Sequence, residues 1–326
     1  MRVKYGSLAT LCLLLLALLP ASCIQDEYAA KEKATLTLYF TTTKSGDGTS
    51  SDATTVGPEL PNEHMRTLRV IIADKNGKIR YNTKVNVPQE QTETILSFSE
   101  LIVDADGSTN FDVYAIANEE VFNTNNEWEG VGIKLTSLKD KVLDSVVLNK
   151  LNEGIGKNDY ESGYALPQTA IQEVSVIPGK DNSAKISLDF VVAKVELNVK
   201  NNSLQSQQLT DVKISNMNLS ESNLFSSENV PVGDQDLIWD AIDVPQNGES
   251  HVVKYVYEST IEDNYWLTTT WGNNNNLNLT EEGLGKSFLR GNKLIINVTL
   301  NSQQEASLDF LVIPWNLHEI DVPEFQ

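Results

Sequence analysis

The chain's most distinctive chemistry lies in a thiol. Among 326 residues there are two cysteines, Cys12 and Cys23. Cys23 follows Leu19-Pro20-Ala21-Ser22, so small residues stand directly before a thiol that can accept a diacylglycerol group. Upstream lie basic Arg2 and Lys4 and an apolar run over residues 11–19. A charged start, a short apolar stretch and small residues at the cut make a secretory signal peptide. The apolar run is shorter than the ~20 residues a membrane span needs. Residues 1–22 therefore read as a lipoprotein signal, with Cys23 the lipidated residue. Pro20 stands where leucine is usual in a lipobox, and Cys12 is a poor rival because bulky Leu11 precedes it. The plainer alternative is an ordinary signal with an incidental cysteine at the cut.

Other reactive patterns are weak. His64, His251 and His318 sit in separate segments without the spacing that places two imidazoles on one metal. Asp104-Ala105-Asp106-Gly107 and Asp74-Lys75-Asn76-Gly77 start like calcium loops, but neither completes the D-x-[DN]-x-[DN]-G pattern with its distant Glu. Turn chemistry explains them better. There is no GxSxG, P-loop or GxGxxG, and with Cys23 committed to lipid no thiol nucleophile remains. A carboxylate pair within the 45 acidic residues is the one catalytic arrangement that sequence leaves open. Trp239, Trp266 and Trp271 would suit an aromatic sugar platform, although in sandwich proteins tryptophans are more often packing. The expectation is a protein that is not an enzyme and needs no metal or cofactor.

Charge narrows the partners. With 25 basic and 45 acidic residues, net −20, the chain lacks the clustered cations that displace counterions from nucleic acid. The same balance opposes electrostatic adhesion to anionic lipid. After loss of residues 1–22 a single cysteine remains, so no intrachain disulfide can form, and stability must come from packed cores.

The elements that would carry these residues are strands. A polar tether over 23–33 leads into Leu36, Leu38 and Phe40, which alternate with Thr37, Tyr39 and Thr41 as in a half-buried strand. Residues 44–63 form a long Ser/Gly/Thr/Asp-rich loop containing Pro58 and Pro61; loops of that length are commonly functional or disordered. Strand patterning resumes at 67–73, and Asn76-Gly77 predicts a type I′ hairpin. Further strand-like runs cover 94–98, 111–117, 142–148, 171–177, 211–217, 251–257, 265–271 and 293–300. Residues 137–148 have partial helical character, but no segment keeps helical periodicity over three turns. This spacing argues an all-β protein of sandwich type.

Pro178-Gly179-Lys180-Asp181-Asn182-Ser183 predicts a boundary between sandwiches over 34–180 and 181–326. Just beyond it, Ile186, Leu188 and Phe190 share one face, then Val191, Ala193, Val195, Leu197 and Val199 the other. Such a slip marks a bulge or a strand passing between sheets. The C-terminal 307–325 repeats the pattern: Leu308, Phe310 and Val312, then Ile313, Trp315 and Leu317, with Pro314 between. Proline restricts that segment to an edge strand, a bulge or a detachable strand.

In order and spacing these pieces resemble the fimbrillins, the subunits of type V pili. The resemblance runs from the lipobox Cys23 through Ala34-Thr35-Leu36-Thr37-Leu38-Tyr39-Phe40 and Leu68-Arg69-Val70-Ile71-Ile72. It continues with Phe111-Asp112-Val113-Tyr114-Ala115-Ile116-Ala117-Asn118 and Val192-Ala193-Lys194-Val195-Glu196-Leu197. Tyr255-Val256-Tyr257-Glu258, Leu289-Arg290-Gly291-Asn292-Lys293 and Leu311-Val312-Ile313-Pro314-Trp315 complete it. It implies two tandem transthyretin-like β-sandwich domains and a structural role. The implied partners are other pilin subunits, a processing protease and the outer membrane reached through the lipid. In such proteins a lipid-anchored precursor loses its first strand by proteolysis, and a C-terminal strand of a neighbour fills the groove in the surface fimbria. Residues 35–43 would be removed, 44–63 cut, and 307–325 donated through Leu308, Phe310, Val312, Ile313, Trp315 and Leu317. The family's stalk subunits are cut after arginine, whereas the basic residue here is Lys44, with Arg66 next. Three outcomes stay open: a cut at Lys44, a cut at Arg66, or an uncut anchor or tip subunit. A surface glycan-binding lipoprotein is the rival class.

Overall fold

A computed structural model of the chain describes residues 31–41, 60–88, 93–105, 107–122, 127–157, 164–226, 229–260, 265–271, 276–279, 287–301 and 306–315. Period-two alternation builds the first strand, β1 (Lys31–Thr41), which buries Ala34, Leu36, Leu38 and Phe40 on one face. It begins within the segment expected to be tether. Next come β2 (Thr67–Asp74), β3 (Ile79–Asn86), β4 (Glu93–Asp104) and β5 (Thr109–Ala117). The β2–β3 hairpin forms as predicted, but its turn differs. Only Gly77 has positive φ, at 75°, and its N–H closes back on the Asp74 carbonyl at 2.8 Å. Asp74 Oδ1 accepts from the Asn76 and Lys78 amides, which holds Asn76 out of the left-handed region that type I′ requires.

A helical layer interrupts the strands. Two 3-10 turns (Pro61–Glu63 and Glu119–Phe122) accompany α1 (Leu135–Lys139), β6 (Val142–Asp144) and α2 (Ser145–Glu153). The run expected to be one strand over 142–148 breaks at Asp144. Its Oδ1 accepts from Val146 N and Val147 N at 3.1 and 3.0 Å, an N-cap that starts α2. Then follow β7 (Gln168–Val176), β8 (Asn182–Ser187) and β9 (Asp189–Phe190). These strands form two sheets, β4-β1-β8 and β3-β2-β5-β7-β9, enclosing a core that includes Leu38, Phe40, Val70, Ile72, Phe111 and Val113. The opposite face of β2 and β5, carrying Ile71, Tyr114 and Ile116, packs with Leu138, Leu148 and Leu151 of the helical layer.

The remaining strands are β10 (Ala193–Asn201), β11 (Gln207–Asn218), β12 (Glu221–Asn223), β13 (Gln235–Ile238), β14 (Ile242–Val244) and β15 (Glu249–Val256). After them come β16 (Ser259–Thr260), β17 (Tyr265–Thr270), β18 (Asn276–Leu279), β19 (Ser287–Phe288), β20 (Asn292–Leu300) and β21 (Ala306–Pro314). The sheets β15-β10-β20-β21 and β13-β11-β17-β18, with β14 on β11, close a second core around Val195, Leu197, Ile214, Leu267, Leu294 and Ile296. Two small pairs, β6–β12 and β16–β19, stand apart, the first joining the helical layer to the second half.

The register slip at Phe190-Val191 is the passage between sheets. Ile186 and Leu188 lie in the first core, Phe190, Val191 and Val192 in the junction cluster, and Ala193 onward in the second core. The polar turn at 178–183 lies earlier, between β7 and β8, which belong to the two sheets of the first core. The chain thus leaves the first sheet pair at 191–192, about ten residues beyond the division expected at 180/181. A polar turn looks alike in sequence whether it joins two sheets of one sandwich or two sandwiches.

Candidate functional site: the first strand and the C-terminal edge

β1 is the first described strand yet lies in the middle of its sheet. β4 flanks it antiparallel, from Lys31↔Asp104 to Thr41↔Glu93, and β8 parallel, from Leu36↔Asn182 to Thr41↔Ser187. Leu36, Leu38 and Phe40 are 0% exposed. Burying each such side chain contributes about 1.5–3 kcal/mol. Its outer face is held by weaker ties: Lys31 pairs with Asp104, Lys33 Nζ lies 3.0 Å from Glu100, and Thr37 Oγ1 meets Ser97 Oγ at 3.1 Å. At the opposite edge Asn182 Nδ2 donates to Thr35 O at 3.1 Å. A bulge in β4 faces Thr35, and there Glu100 takes φ 65°.

β21 is an edge strand, as Pro314 at its last position requires. It pairs antiparallel with β20 from Asn292↔Pro314 to Leu300↔Ala306, and half-buried Leu308, Phe310 and Val312 lean on the second core. Five of the six expected donor residues are thus seated within the chain itself: Leu308, Phe310, Val312 and Ile313 in β21, and Trp315 after it. Leu317 lies outside the described residues. Trp315 is buried at the junction. Its ring stacks on Phe190 and Tyr255 at centroid distances of 4.2 and 5.7 Å, and its amide donates to Gly291 O at 2.7 Å.

Cys23 and Lys44 also lie outside the described residues. Arg66, the other candidate cut site, is half-buried at the threshold of β2. Its amide donates to Asn118 Oδ1 at 2.8 Å, its carbonyl accepts from Val87 N at 2.7 Å, and Nη2 donates to Pro61 O at 2.8 Å. A protease cutting after Arg66 would first have to open this end of β2. Glu63, the last residue of the expected 44–63 loop, lies in a 3-10 turn and is 0% exposed.

Of the three histidines, His64 and His251 occupy separate places and His318 falls outside the described residues. Among the described residues no cluster of three or more His, Cys, Asp or Glu could hold a metal. Asp74 spends its carboxylate on the turn amides and on Arg80 at 2.6 Å. Trp239 and Trp271 are core residues of the second half, with 4% and 6% exposure, which leaves no ring face for a sugar.

Sequence patterns did not reveal the buried ions. Arg69 grips Glu119 through Nε and Nη2 at 2.6 and 2.8 Å, and Arg290 grips Glu258 while donating to Leu224 O. Burial would raise the Glu119 pKa, but hydrogen bonds from Arg69 and Lys84 outweigh it and hold the carboxyl below its ordinary range. At the junction Lys194 Nζ lies 3.1 Å from Glu63 Oε1 and 2.9 Å from Glu196 Oε1. Burial and the neighbouring Glu63 push the Tyr255 phenol well above its ordinary value, so it stays a neutral donor. Lys194 and Glu196 alternate with apolar residues in β10, on the same face as Asn198 and Lys200, so in sequence they read as ordinary solvent-facing positions.

No protein-family model matches the chain, and no curated protein matches its sequence. Solved structures do share its fold. The tip fimbrial protein Mfa3 from Porphyromonas gingivalis, with a C-terminal truncation, aligns with a TM-score of 0.57 at 12% identity, covering 87% of this chain and 100% of that one. A protein assigned to cell adhesion from Parabacteroides distasonis ATCC 8503 gives 0.52 at 13% identity, covering 90% and 98%. Another from Bacteroides eggerthii DSM 20697 gives 0.52 at 15%, covering 87% and 96%. The likeness to fimbrial proteins expected from the sequence is borne out at the level of the fold.

Proposed function

We propose that this chain is a structural subunit of a cell-surface fimbria. It is exported as a lipoprotein through Cys23, held at the outer membrane, and freed when a protease removes its first strand. The observation that carries the reading is the position of β1. The first described strand fills the middle of a sheet, and residues 42–59 join it to the rest of the described chain. Its loss would leave β4 and β8 with facing unpaired edges and three empty apolar pockets. Open edges of that kind bind another strand, with main-chain hydrogen bonds giving affinity and alternate side chains giving fit. A strand given by a second copy makes a heterologous contact, and heterologous contacts grow into open filaments. The likeness in fold to a tip fimbrial protein supports the same reading.

Within this reading, particular versions of the cut and of the donor fit the seated elements best. Lys44 is the sole basic residue among 42–59, and a cut there spares the seated turn at Pro61–Glu63. A cut after Arg66 would also strip Glu63 from Lys194. On the donor side, β21 completes its own sheet, so donation is best carried by residues 316–326, which include Leu317.

The test is to treat the purified chain with a lysine-specific protease, identify the new N-terminus and follow assembly. Ser45 as the new N-terminus, with ladders that resist mild denaturant, is the expected result. A nicked product that stays monomeric overturns donor exchange. Acylated Cys23 as the sole N-terminus on protein recovered from cells makes this an uncut anchor.

A further inference from the structure

Four charged side chains meet at the junction of the two halves: Glu63 (0% exposed), Lys194 (1%), Glu196 (8%) and Lys293 (6%). Lys194 bridges Glu63 and Glu196, and Lys293 approaches Glu196 Oε2 at 3.9 Å. The Tyr255 hydroxyl lies 3.3 Å from Glu63 Oε1 and accepts from Asn62 Nδ2 at 3.2 Å. Above the same ammonium, at 5.3 Å from its ring centroid, sits Trp315, which also stacks on Tyr255.

Three segments distant in sequence therefore share one buried contact set. The first is the turn that ends the 42–59 connection. The second is β10, which opens the second half. The third is Trp315, where β21 ends and the C-terminal segment departs. An all-apolar junction would hold these as well or better, because the desolvation of buried ions largely offsets their attraction. What ions add is conditionality: removing one member leaves the others charged and buried. Trp315 is also only partly satisfied. Its indole Nε1 is buried with no hydrogen-bond partner among the described residues, which weakens its seat.

We propose that this cluster is a relay: the seated Pro61–Glu63 turn fixes Lys194, Lys194 and Tyr255 hold Trp315, and displacement of the turn loosens Trp315 and β21. Coupling of this kind is reciprocal, so loosening Trp315 also loosens the turn. The coupling stands whether or not the chain polymerises. Its use, keeping β21 and Trp315 seated after a cut at Lys44 that leaves the turn in place, rests on the fimbrial reading above.

Hydrogen exchange read by mass spectrometry on the full chain tests it without any assembly step. Glu63→Gln is expected to speed exchange of amides 307–315 at least tenfold while β3 and β13 keep their rates. Trp315→Ala is expected to do the same for residues 61–66. Glu119→Gln, which breaks an equally buried pair elsewhere, should leave 307–315 unchanged. Tyr255→Phe removes one hydroxyl and keeps the stacking, so it gives a smaller change in the same amides even if Glu63→Gln fails to fold. The relay is overturned if each substitution loosens only its own segment, or if exchange rises uniformly. Either outcome leaves the fimbrial reading intact, because that reading is judged on cutting and assembly.

Discussion

Arg69 shows why buried charge in this protein must come in complete sets. It sits in β2 on the face that also carries Ile71 and Ala73, under the helical layer, where a guanidinium is tolerable only if its charge is matched and most of its donors are used. Glu119 takes two of its N–H groups, and Asn82 Oδ1 and Trp128 O accept from Nη1 at 2.8 and 2.9 Å. Replacing Glu119 with Gln leaves a buried cation without its anion, a change that typically costs about 3–5 kcal/mol. The pH dependence follows from the direction of the Glu119 shift. Its pKa is depressed in the folded chain, so its stabilisation is whole at neutral pH. That stabilisation starts to fall as the pH drops below the ordinary value of 4.5 and is gone below the folded value. Urea unfolding at pH 7 should therefore show the full deficit for Glu119→Gln, and the gap to wild type should narrow steadily as the pH falls below 4.5. A gap that stays constant to pH 3 would mean the carboxylate charge is not what stabilises Arg69.

At the scale of elements, alternation is what sequence conveys best, and β1 gives the sharpest test of it. Leu38→Ala should destabilise the chain by about 2–5 kcal/mol through transfer and cavity terms. Thr37→Ala, one position away on the other face, should cost under about 0.5 kcal/mol. Thermal unfolding of the two variants side by side reads the difference, and equal effects would refute the assigned register. Alternation also made β10, β20 and β21 legible, apolar runs made β2 and β5 so, and the slip at Phe190-Val191 marked the true passage between sheets. Local rules read less well where a side chain redirected the backbone. Asp74 changed the turn type at Asn76-Gly77, and Asp144 ended a strand by capping a helix. Asp144→Ala should therefore cost about 1 kcal/mol, with Asp144→Asn largely neutral, measured by urea midpoint. Strands of two to four residues, such as β12, β14 and β16, are too short to show a period. The junction cluster was illegible for another reason: Glu63, Lys194 and Trp315 are separated by more than a hundred residues each, and no spacing rule reaches that far.

At the scale of the whole molecule, the order of strands in space matters more than any residue. β1 can leave without unthreading anything. It is the first described strand, and residues 42–59 join it to Leu60. Although β4 and β8 pair with no other strand among the described residues, their buried Phe98, Leu101, Val103 and Ile186 pack, with Leu188, in the core shared with the facing sheet. β8 is tied to β7 and β9 by short connections, and β4 leads directly into β5 of the facing sheet. A chain beginning at Leu60 should therefore keep both walls of the groove and gain an acceptor site of known register. A peptide of residues 31–41 supplied in trans should bind it, with Leu36, Leu38 and Phe40 returning to their pockets. Charge at the central pocket is costly to bury, so the Leu38→Asp peptide should bind at least tenfold more weakly. Anisotropy of a labelled peptide measures both. Equal binding of the two peptides would mean that the edges of β4 and β8 attract any extended segment, and that fit to the pockets plays no part in choosing the strand.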